Sequence, residues 1–245
     1  MTEPGFSTDD IDFEAFYQGK PPVQGMDTSF EITPWDIGEP QPVVVALADS
    51  GAVQGQVLDV GCGLGENAIF LASRGYQVTG VDGAPTALQT ARQRARERGA
   101  EVEFVQSDAT TLQDVPQRFA TVLDSALYHC LTGEQRSDYA AALHRVTLPG
   151  AQLHLFCFAD VNNVFGLPPA MTVSQEDLRE HLGGHWDIQG IEPADYTSSL
   201  TPQTLQQLDS EDLRQAGLTV YPDRIRTDGQ GRILARVWHL HAERR

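Results

Sequence analysis

Residues 57–68, VLDVGCGLGENA, constrain this chain more than any other stretch. Val57 to Val60 reads as an apolar strand. Gly61, Gly63 and Gly65 then impose a tight turn, and a helix opens near Glu66. Glycines at alternate positions let the backbone approach a ligand where a β-carbon would stand in the way. A strand, a glycine turn and a helix N-terminus together make a nucleotide-type site at the carboxyl edge of a parallel sheet.

The spacing narrows the ligand. Loops that cradle a pyrophosphate follow G-x-G-x-x-G. Here the pattern is G-x-G-x-G, and Asp59 stands just before it. A carboxylate there repels a pyrophosphate and attracts an ammonium group. The stretch resembles motif I of the class I S-adenosylmethionine-dependent methyltransferases, whose cofactor carries no phosphate. The resemblance spans roughly residues 30–160 and includes the final strand. It implies an α/β fold: a doubly wound, Rossmann-like, seven-stranded and mostly parallel sheet with the last strand antiparallel. It also implies S-adenosyl-L-methionine as cofactor and S-adenosyl-L-homocysteine as product, with Gly61, Cys62, Gly63 and Gly65 forming the cofactor loop.

Two more strand ends point to the same ligand. Gln77 to Val81 is a short apolar strand ending at Asp82-Gly83. An acid at that place can accept hydrogen bonds from both hydroxyls of a ribose. Asp82 also suits a capping role before the helix that starts near Pro85. Val102 to Gln106 is the next strand, followed by Ser107, Asp108 and Ala109. Ser and Asp are ordinary turn residues. The resemblance gives Asp108 the adenine amino group and the Ala109 amide the ring. A fourth strand, Ala120 to Leu123, ends at Asp124, which reads as a cofactor-side or structural acid.

Within the class, TPWDIGEPQP and VLDSALYH are similar to a narrower group, the thiopurine-type and bacterial heterocyclic-toxin or phenol methyltransferases. That likeness implies a small aromatic acceptor. It also implies that Trp35 folds over the cofactor, where an aromatic face near a sulfonium gains roughly 0.5–2 kcal/mol; Trp35 equally suits anchoring the N-terminal segment. The Asn/Asp-Pro-Pro-Tyr/Phe signature of amide- and base-nitrogen methyltransferases is missing after the fourth strand. Tyr128 and His129 follow that strand and are the catalytic candidates, His129 because its unperturbed pKa suits a general base; packing is the alternative for His129. Phe30, Trp35, Tyr128 and Phe165 are expected to line the acceptor pocket. His154 reads as structural. His181 and His185 flank two glycines without the carboxylate or cysteine pattern of a metal site, so no metal is expected.

Composition bounds the partners. Seventeen basic residues face 34 acidic ones, a formal charge of −17. Nucleic-acid affinity rests mainly on Lys and Arg, so a nucleic-acid partner is not expected. Arg92, Arg94, Arg96 and Arg98 spread around one helix rather than forming a basic stripe. No apolar run approaches membrane-spanning length. Three cysteines, Cys62, Cys130 and Cys157, form no C-x-x-C pair and fit free thiols. With no secretory signal expected in MTEPGFSTDD, a cytoplasmic location follows.

From Gln56 onward strands alternate with helices, the pattern of a parallel sheet with right-handed crossovers. Helices are predicted over Pro42–Ala48, Pro85–Arg98, Glu134–Thr147 and Ser174–Leu182, and Leu148-Pro149-Gly150 stops the third. Later strands are predicted over Gln152–Phe158, Asp187–Glu192 and Ile233–His241. Residues 1–40 read as a separate N-terminal segment covering the site, with a short helix around Asp9–Tyr17. Residues 41–245 read as the catalytic domain, with an insertion over 193–231 that holds a small helix near Pro202–Leu208. The expected function is methyl transfer to the S, O or N atom of a small acceptor. A macromolecular acceptor, a non-catalytic cofactor-binding protein and a nicotinamide-dependent oxidoreductase are the competing readings.

Overall fold

Parallel strands buried on both faces must be apolar throughout, and that requirement builds the centre of the molecule. The computed structural model describes residues 8–23, 33–161, 163–207 and 219–245. The strands are β1 (Gln56–Val60), β2 (Gln77–Asp82), β3 (Val102–Gln106), β4 (Phe119–Ser125), β5 (Thr147–Phe158), β6 (Phe165–Gly166), β7 (Trp186–Thr197), β8 (Thr219–Val220) and β9 (Leu234–Arg244). The helices are α1 (Phe13–Tyr17), α2 (Pro42–Asp49), α3 (Glu66–Ser73), α4 (Pro85–Glu97), α5 (Gly133–Val146), α6 (Gln175–Leu182) and α7 (Pro202–Gln207).

Seven strands form one sheet in the order β3-β2-β1-β4-β5-β9-β7. The first five are mutually parallel, and β9 runs antiparallel to both β5 and β7. The strand order reverses between β1 and β4, the place where an open α/β sheet leaves a crevice at its carboxyl edge. Register makes that edge level: Val60 sits opposite both Val81 and Asp124, and Asp82 opposite Gln106.

Side-chain alternation splits the core into two layers. Leu58, Val60, Val122 and Leu153 face α5 and α6, where Tyr139, Leu143, Leu178 and Leu182 are fully buried. Val57, Val78, Leu123 and Phe156 face α2 and α3, meeting Val44, Leu47, Ala68 and Leu71. The helix boundaries have local causes. Pro42 and Pro85 open α2 and α4. Thr132 and Gln135 form a capping box on α5, and the Ser174 hydroxyl accepts the Asp177 amide at the start of α6.

Three boundaries differ from the sequence reading. Helix α1 spans five residues only, because Thr8–Asp10 forms a 3-10 turn and Ile11 bridges to Val23. Strand β5 begins at Thr147, so Leu148-Pro149-Gly150 lies within its irregular start, next to a register shift on β4. Strand β7 continues to Thr197 because β9 pairs with it along its whole length. Pro193 is tolerated there because β7 is an edge strand, where a missing N–H leaves no neighbour unpaired. The region predicted as an insertion therefore begins after Thr197; it contains α7 and β8, and its residues 208–218 lie outside the described ones. Phe165–Gly166 pairs with Thr219–Val220 as a separate two-stranded sheet. Among the described residues no helix is long and apolar enough to cross a membrane.

The antiparallel β5–β9 pair aligns three histidines. His154 stacks on His241 with ring centroids 4.6 Å apart, and its Nδ1 lies 3.2 Å from His239 Nε2. His239 in turn stacks on Phe156 at 4.4 Å. Burial, then the neighbouring imidazoles, lowers His154 to a pKa of about 3, and burial with His241 lowers His239 to about 4. The folded state therefore keeps both neutral while the unfolded chain takes up protons near pH 6.5. Their contribution is present above that pH and is lost as pH falls toward the folded values. The double variant His154→Gln/His239→Gln should accordingly gain stability relative to the parent as pH is lowered from about 7 to about 5. Buried carboxyl groups, whose pH dependence has the opposite sign, are common to both proteins and cancel. Parallel Tm-versus-pH curves for the two proteins would remove the cluster as a source of acid sensitivity.

Candidate active site

The glycine turn after β1 is fixed from three sides. The Gly61 and Cys62 amides both donate to the Val81 carbonyl, at 2.8 and 2.9 Å. Gly61 has φ +70°, and a β-carbon there would stand 2.7 Å from Leu127 Cβ. Gly65 has φ +85°, and its β-carbon would stand 2.9 Å from Ala91 Cβ. The turn after β4 and helix α4 thus approach so closely that only glycine fits at these two points.

Asp82 joins the glycine turn to the turn that precedes α4. One carboxylate oxygen accepts the Gly63 amide at 2.8 Å and the other accepts the Ala84 amide at 2.9 Å. The same carboxylate lines a cavity of about 740 Å³ at the carboxyl edge of the sheet. Burial raises its pKa, and the backbone amides of Ala84, Gly63 and Gly83 oppose that rise. Each oxygen keeps a free lone pair for a ligand hydroxyl.

Asp59 and Asp124 stand behind this wall and are not part of the lining. Asp124 is fully buried; it accepts the Leu127 and Tyr128 amides at 2.8 and 3.3 Å and the Tyr139 hydroxyl at 2.8 Å. Its work is to close the turn after β4. Asp59 is 1% exposed, and neither of its oxygens has a hydrogen-bond partner. Burial, then the charges of Asp124 and Asp82, pushes Asp59 up to about 7; burial alone pushes Asp124 to about 7. Three acids crowd this edge, and among the described residues no Lys or Arg lines the cavity. Such a donor set fits a ligand that brings hydroxyl groups and positive charge.

The cavity walls combine unlike groups. Asp82, Gly83, Asp108 and Ala109 supply carboxylates and strand-end backbone. Asp108 is exposed, and its Oδ1 accepts the Thr110 amide and hydroxyl, so it shapes the turn as well as facing the cavity. Aromatic rings share these walls: Phe13, Tyr17, Trp35, His129, Phe158 and Tyr196 all line the cavity, and Tyr17 stands close to Gly63 of the glycine turn. Trp35 donates its ring N–H to the Tyr17 hydroxyl at 3.0 Å and packs on Phe16 with centroids 4.8 Å apart. Its neighbour Asp36 accepts two bonds from Arg94, at 3.0 and 2.8 Å, and Arg94 also bonds Glu66 at 2.7 Å. Glu66 is the first residue of α3, so one arginine ties the Trp35 loop to the glycine turn.

The catalytic candidates separate. Tyr128 does not reach the cavity: it is wholly buried, its hydroxyl donates to Asp177 at 3.1 Å, and the Arg136 guanidinium lies over its ring. His129 lines the cavity, packed on Phe158 with centroids 4.3 Å apart, and its Nδ1 is buried without a partner. Burial, then the Arg136 charge, lowers its pKa to about 3, so the ring is a neutral imidazole near pH 7. Cys62 and Gly65 lie outside the lining and serve the turn itself. Cys130 lines the cavity, but burial, then Asp124, pushes its thiol up to about 12 and keeps it protonated. The backbone of Phe165 lies in β6, and Phe30 falls outside the described residues. Among the described residues no group of three or more His, Cys, Asp or Glu is placed to hold a metal.

Tyr17, Ser125, Ala126 and Tyr196 were not singled out from the sequence. Ser125 was within reach of that reading, as the residue after a strand-terminal acid. Tyr196 was not, because the Pro193 signal ended β7 too early.

Comparison with known proteins agrees with this geometry. Residues 57–150 match the methyltransferase domain family. The chain is 37% identical over 183 residues to a 2-heptyl-1-hydroxyquinolin-4(1H)-one methyltransferase of Mycobacteroides abscessus, covering 74% of this chain and 79% of the relative. It is 28% identical over 147 residues to thiocyanate methyltransferase 1 of Arabidopsis thaliana, covering 59% and 64%. A solved structure, described for conversion of a disulfide bond into a thioacetal group during echinomycin biosynthesis, aligns with a TM-score of 0.74 at 32% identity, covering 95% of this chain and 90% of that one. The chain belongs to the class I S-adenosylmethionine-dependent methyltransferases.

Proposed function

We propose that this enzyme moves the methyl group of S-adenosylmethionine to the O, N or S atom of a small aromatic or heterocyclic acceptor. The observation that carries this reading is one cavity whose walls combine the Asp82 and Asp108 carboxylates and strand-end backbone with the aromatic rings of Trp35, Phe158 and Tyr196. The hydroxyquinolinone named for the M. abscessus relative is an acceptor of that kind. In this reading Asp82 takes the ribose hydroxyls, Asp108 and the Ala109 amide take the adenine, and the glycine turn backs the amino-acid end. Asp59, Asp82 and Asp124 supply the negative potential that favours a cationic ligand. Residues 1–40 cover the site through Tyr17 and Trp35, and residues 41–245 form the methyl-transfer domain. The free thiols Cys62, Cys130 and Cys157 suit a reducing cytoplasm.

A bound sulfonium supplies an activated methyl group and leaves as a neutral thioether. The protein's contribution is alignment and exclusion of water. The acceptor atom forms the new bond to carbon as the sulfur–carbon bond breaks, and the acceptor's proton passes to solvent. We assign His129 to the wall of the acceptor chamber, because a proton would not remain on a ring with so low a pKa near neutral pH.

Incubation with methyl-labelled cofactor and a fractionated cell extract tests the acceptor class. Label is expected in the small-molecule fraction; label confined to protein or RNA would overturn it. Asp82→Ala should weaken S-adenosylhomocysteine binding by at least about 100-fold, because bonds to a buried carboxylate are lost. Calorimetry showing parental affinity would remove the ribose role. His129→Gln should lower kcat by similar factors for an acidic thiol and a weakly acidic phenol. A loss concentrated on the phenol would reinstate His129 as a base.

A further inference from the structure

Two hydroxyl groups meet in the wall of the cavity. Ser125 Oγ lies 3.0 Å from Tyr196 Oη, although the residues are 71 positions apart. Ser125 closes β4, and Tyr196 reaches it from β7, three strands away in the sheet. Both line the cavity, and Tyr196 is 5% exposed. Resting on the methyl-transfer reading above, we infer that the Ser125–Tyr196 pair recognises a heteroatom beside the acceptor's nucleophilic atom, and that the acceptor is an uncharged heteroaromatic molecule.

Hydrogen-bond accounting comes first. Two hydroxyls offer two protons, and the bond between them uses one. The other protein acceptor for the phenol is the Ser125 carbonyl, at 3.5 Å, and the serine hydroxyl has no partner besides Tyr196 among the described residues. When the phenol donates to Ser125, the serine proton is left for the cavity. Burial raises the Tyr196 phenol well above its ordinary value, out of reach of ionisation, so the pair remains neutral and can both donate and accept.

Backbone geometry points the same way. Ala126 follows Ser125 with φ +80°, a left-handed conformation that a residue with a β-carbon rarely adopts. Its amide donates to the Phe156 carbonyl at 3.0 Å, which holds the turn in place. Strain kept at a cavity wall marks a position where side-chain aim matters. Position fits as well: β4 lies two strands from β2, so Ser125 is set about 10 Å from Asp82 across the sheet. That offset leaves the pair on the acceptor side of a ligand anchored at Asp82.

Charge selects the class. Glu14, Asp82 and Asp108 line the cavity, and among the described residues no Lys or Arg does. A carboxylated acceptor would lose its water without gaining a cationic partner. A neutral ring with a second polar atom gains a hydrogen bond instead.

Three probes test this with the full-length protein: 8-hydroxyquinoline, its isostere 1-naphthol, which replaces the ring nitrogen by CH, and the anionic 1-hydroxy-2-naphthoate. Each is assayed for methyl transfer, and for binding to the S-adenosylhomocysteine-loaded protein by calorimetry. The parent should favour 8-hydroxyquinoline over 1-naphthol about five- to tenfold, as one net hydrogen bond allows, and should bind the naphthoate weakest. Tyr196→Phe and Ser125→Ala should each reduce that preference toward unity; comparing variant with parent cancels the probes' intrinsic reactivities. Equal losses on both isosteres, or no preference in the parent, would reduce the pair to packing and overturn the inference while methyl transfer stands. Tight naphthoate binding would overturn the neutral-acceptor assignment. Failure of all three probes to bind the loaded protein, with the loading itself intact, would overturn the small-aromatic reading together with this inference.

Discussion

The Asp82 carboxylate is the joint on which the crevice depends. It accepts one amide from the glycine turn after β1 and one from the turn that starts α4. Two loops from adjacent strands are therefore locked to a single side chain. A carboxylate so buried is costly unless charge-assisted bonds satisfy it. Here those bonds are backbone amides, which cannot be repelled or titrated. The joint is thereby stable without a ligand, yet it keeps acceptor capacity toward the cavity.

The second tier of order is ionic and lies further from the ligand. Arg94 joins Asp36 to Glu66, and Arg98 pairs with Glu66 as well. This network connects the start of α3, the outer face of α4 and the loop that carries Trp35. Arginine suits the task because its planar fork can bond two carboxylates in fixed directions. One of the four arginines spread around α4, Arg94, thus ties the loop that carries Trp35 to the start of α3. Arg94, Asp36 and Glu66 are largely shielded from solvent, and the value of these pairs lies in their direction.

What the sequence revealed follows from how many physical demands met at one residue. β1, β2 and the acid at Asp82 were legible because burial on both faces, glycine sterics and ligand chemistry all select the same residue types. Tyr128 and His129 were not separable, since they are neighbours in one 3-10 turn and only tertiary packing sends one to the core and the other to the cavity. Strand β7 was cut short because proline is a strand breaker everywhere except at an edge, and being an edge is a property of the sheet rather than of the segment. With β7 truncated, the contact between Tyr196 and Ser125 could not be foreseen.

The cluster of acids gives the site its charge preference. Asp59 has no hydrogen-bond partner, and its pKa of about 7 is set by burial and by the two neighbouring carboxylates. Packing alone would favour an apolar residue at a position 1% exposed. A buried acid cluster of this kind reaches neutrality in one of two ways, by taking up protons or by facing a cation. The first leaves the fold intact near neutral pH; the second requires a ligand whose positive charge lies close to the glycine turn. A pyrophosphate would meet neither condition, because its charge adds to that of the cluster. The same residues that make the empty fold tolerate its own acids therefore discriminate against dinucleotides and in favour of a sulfonium-bearing cofactor.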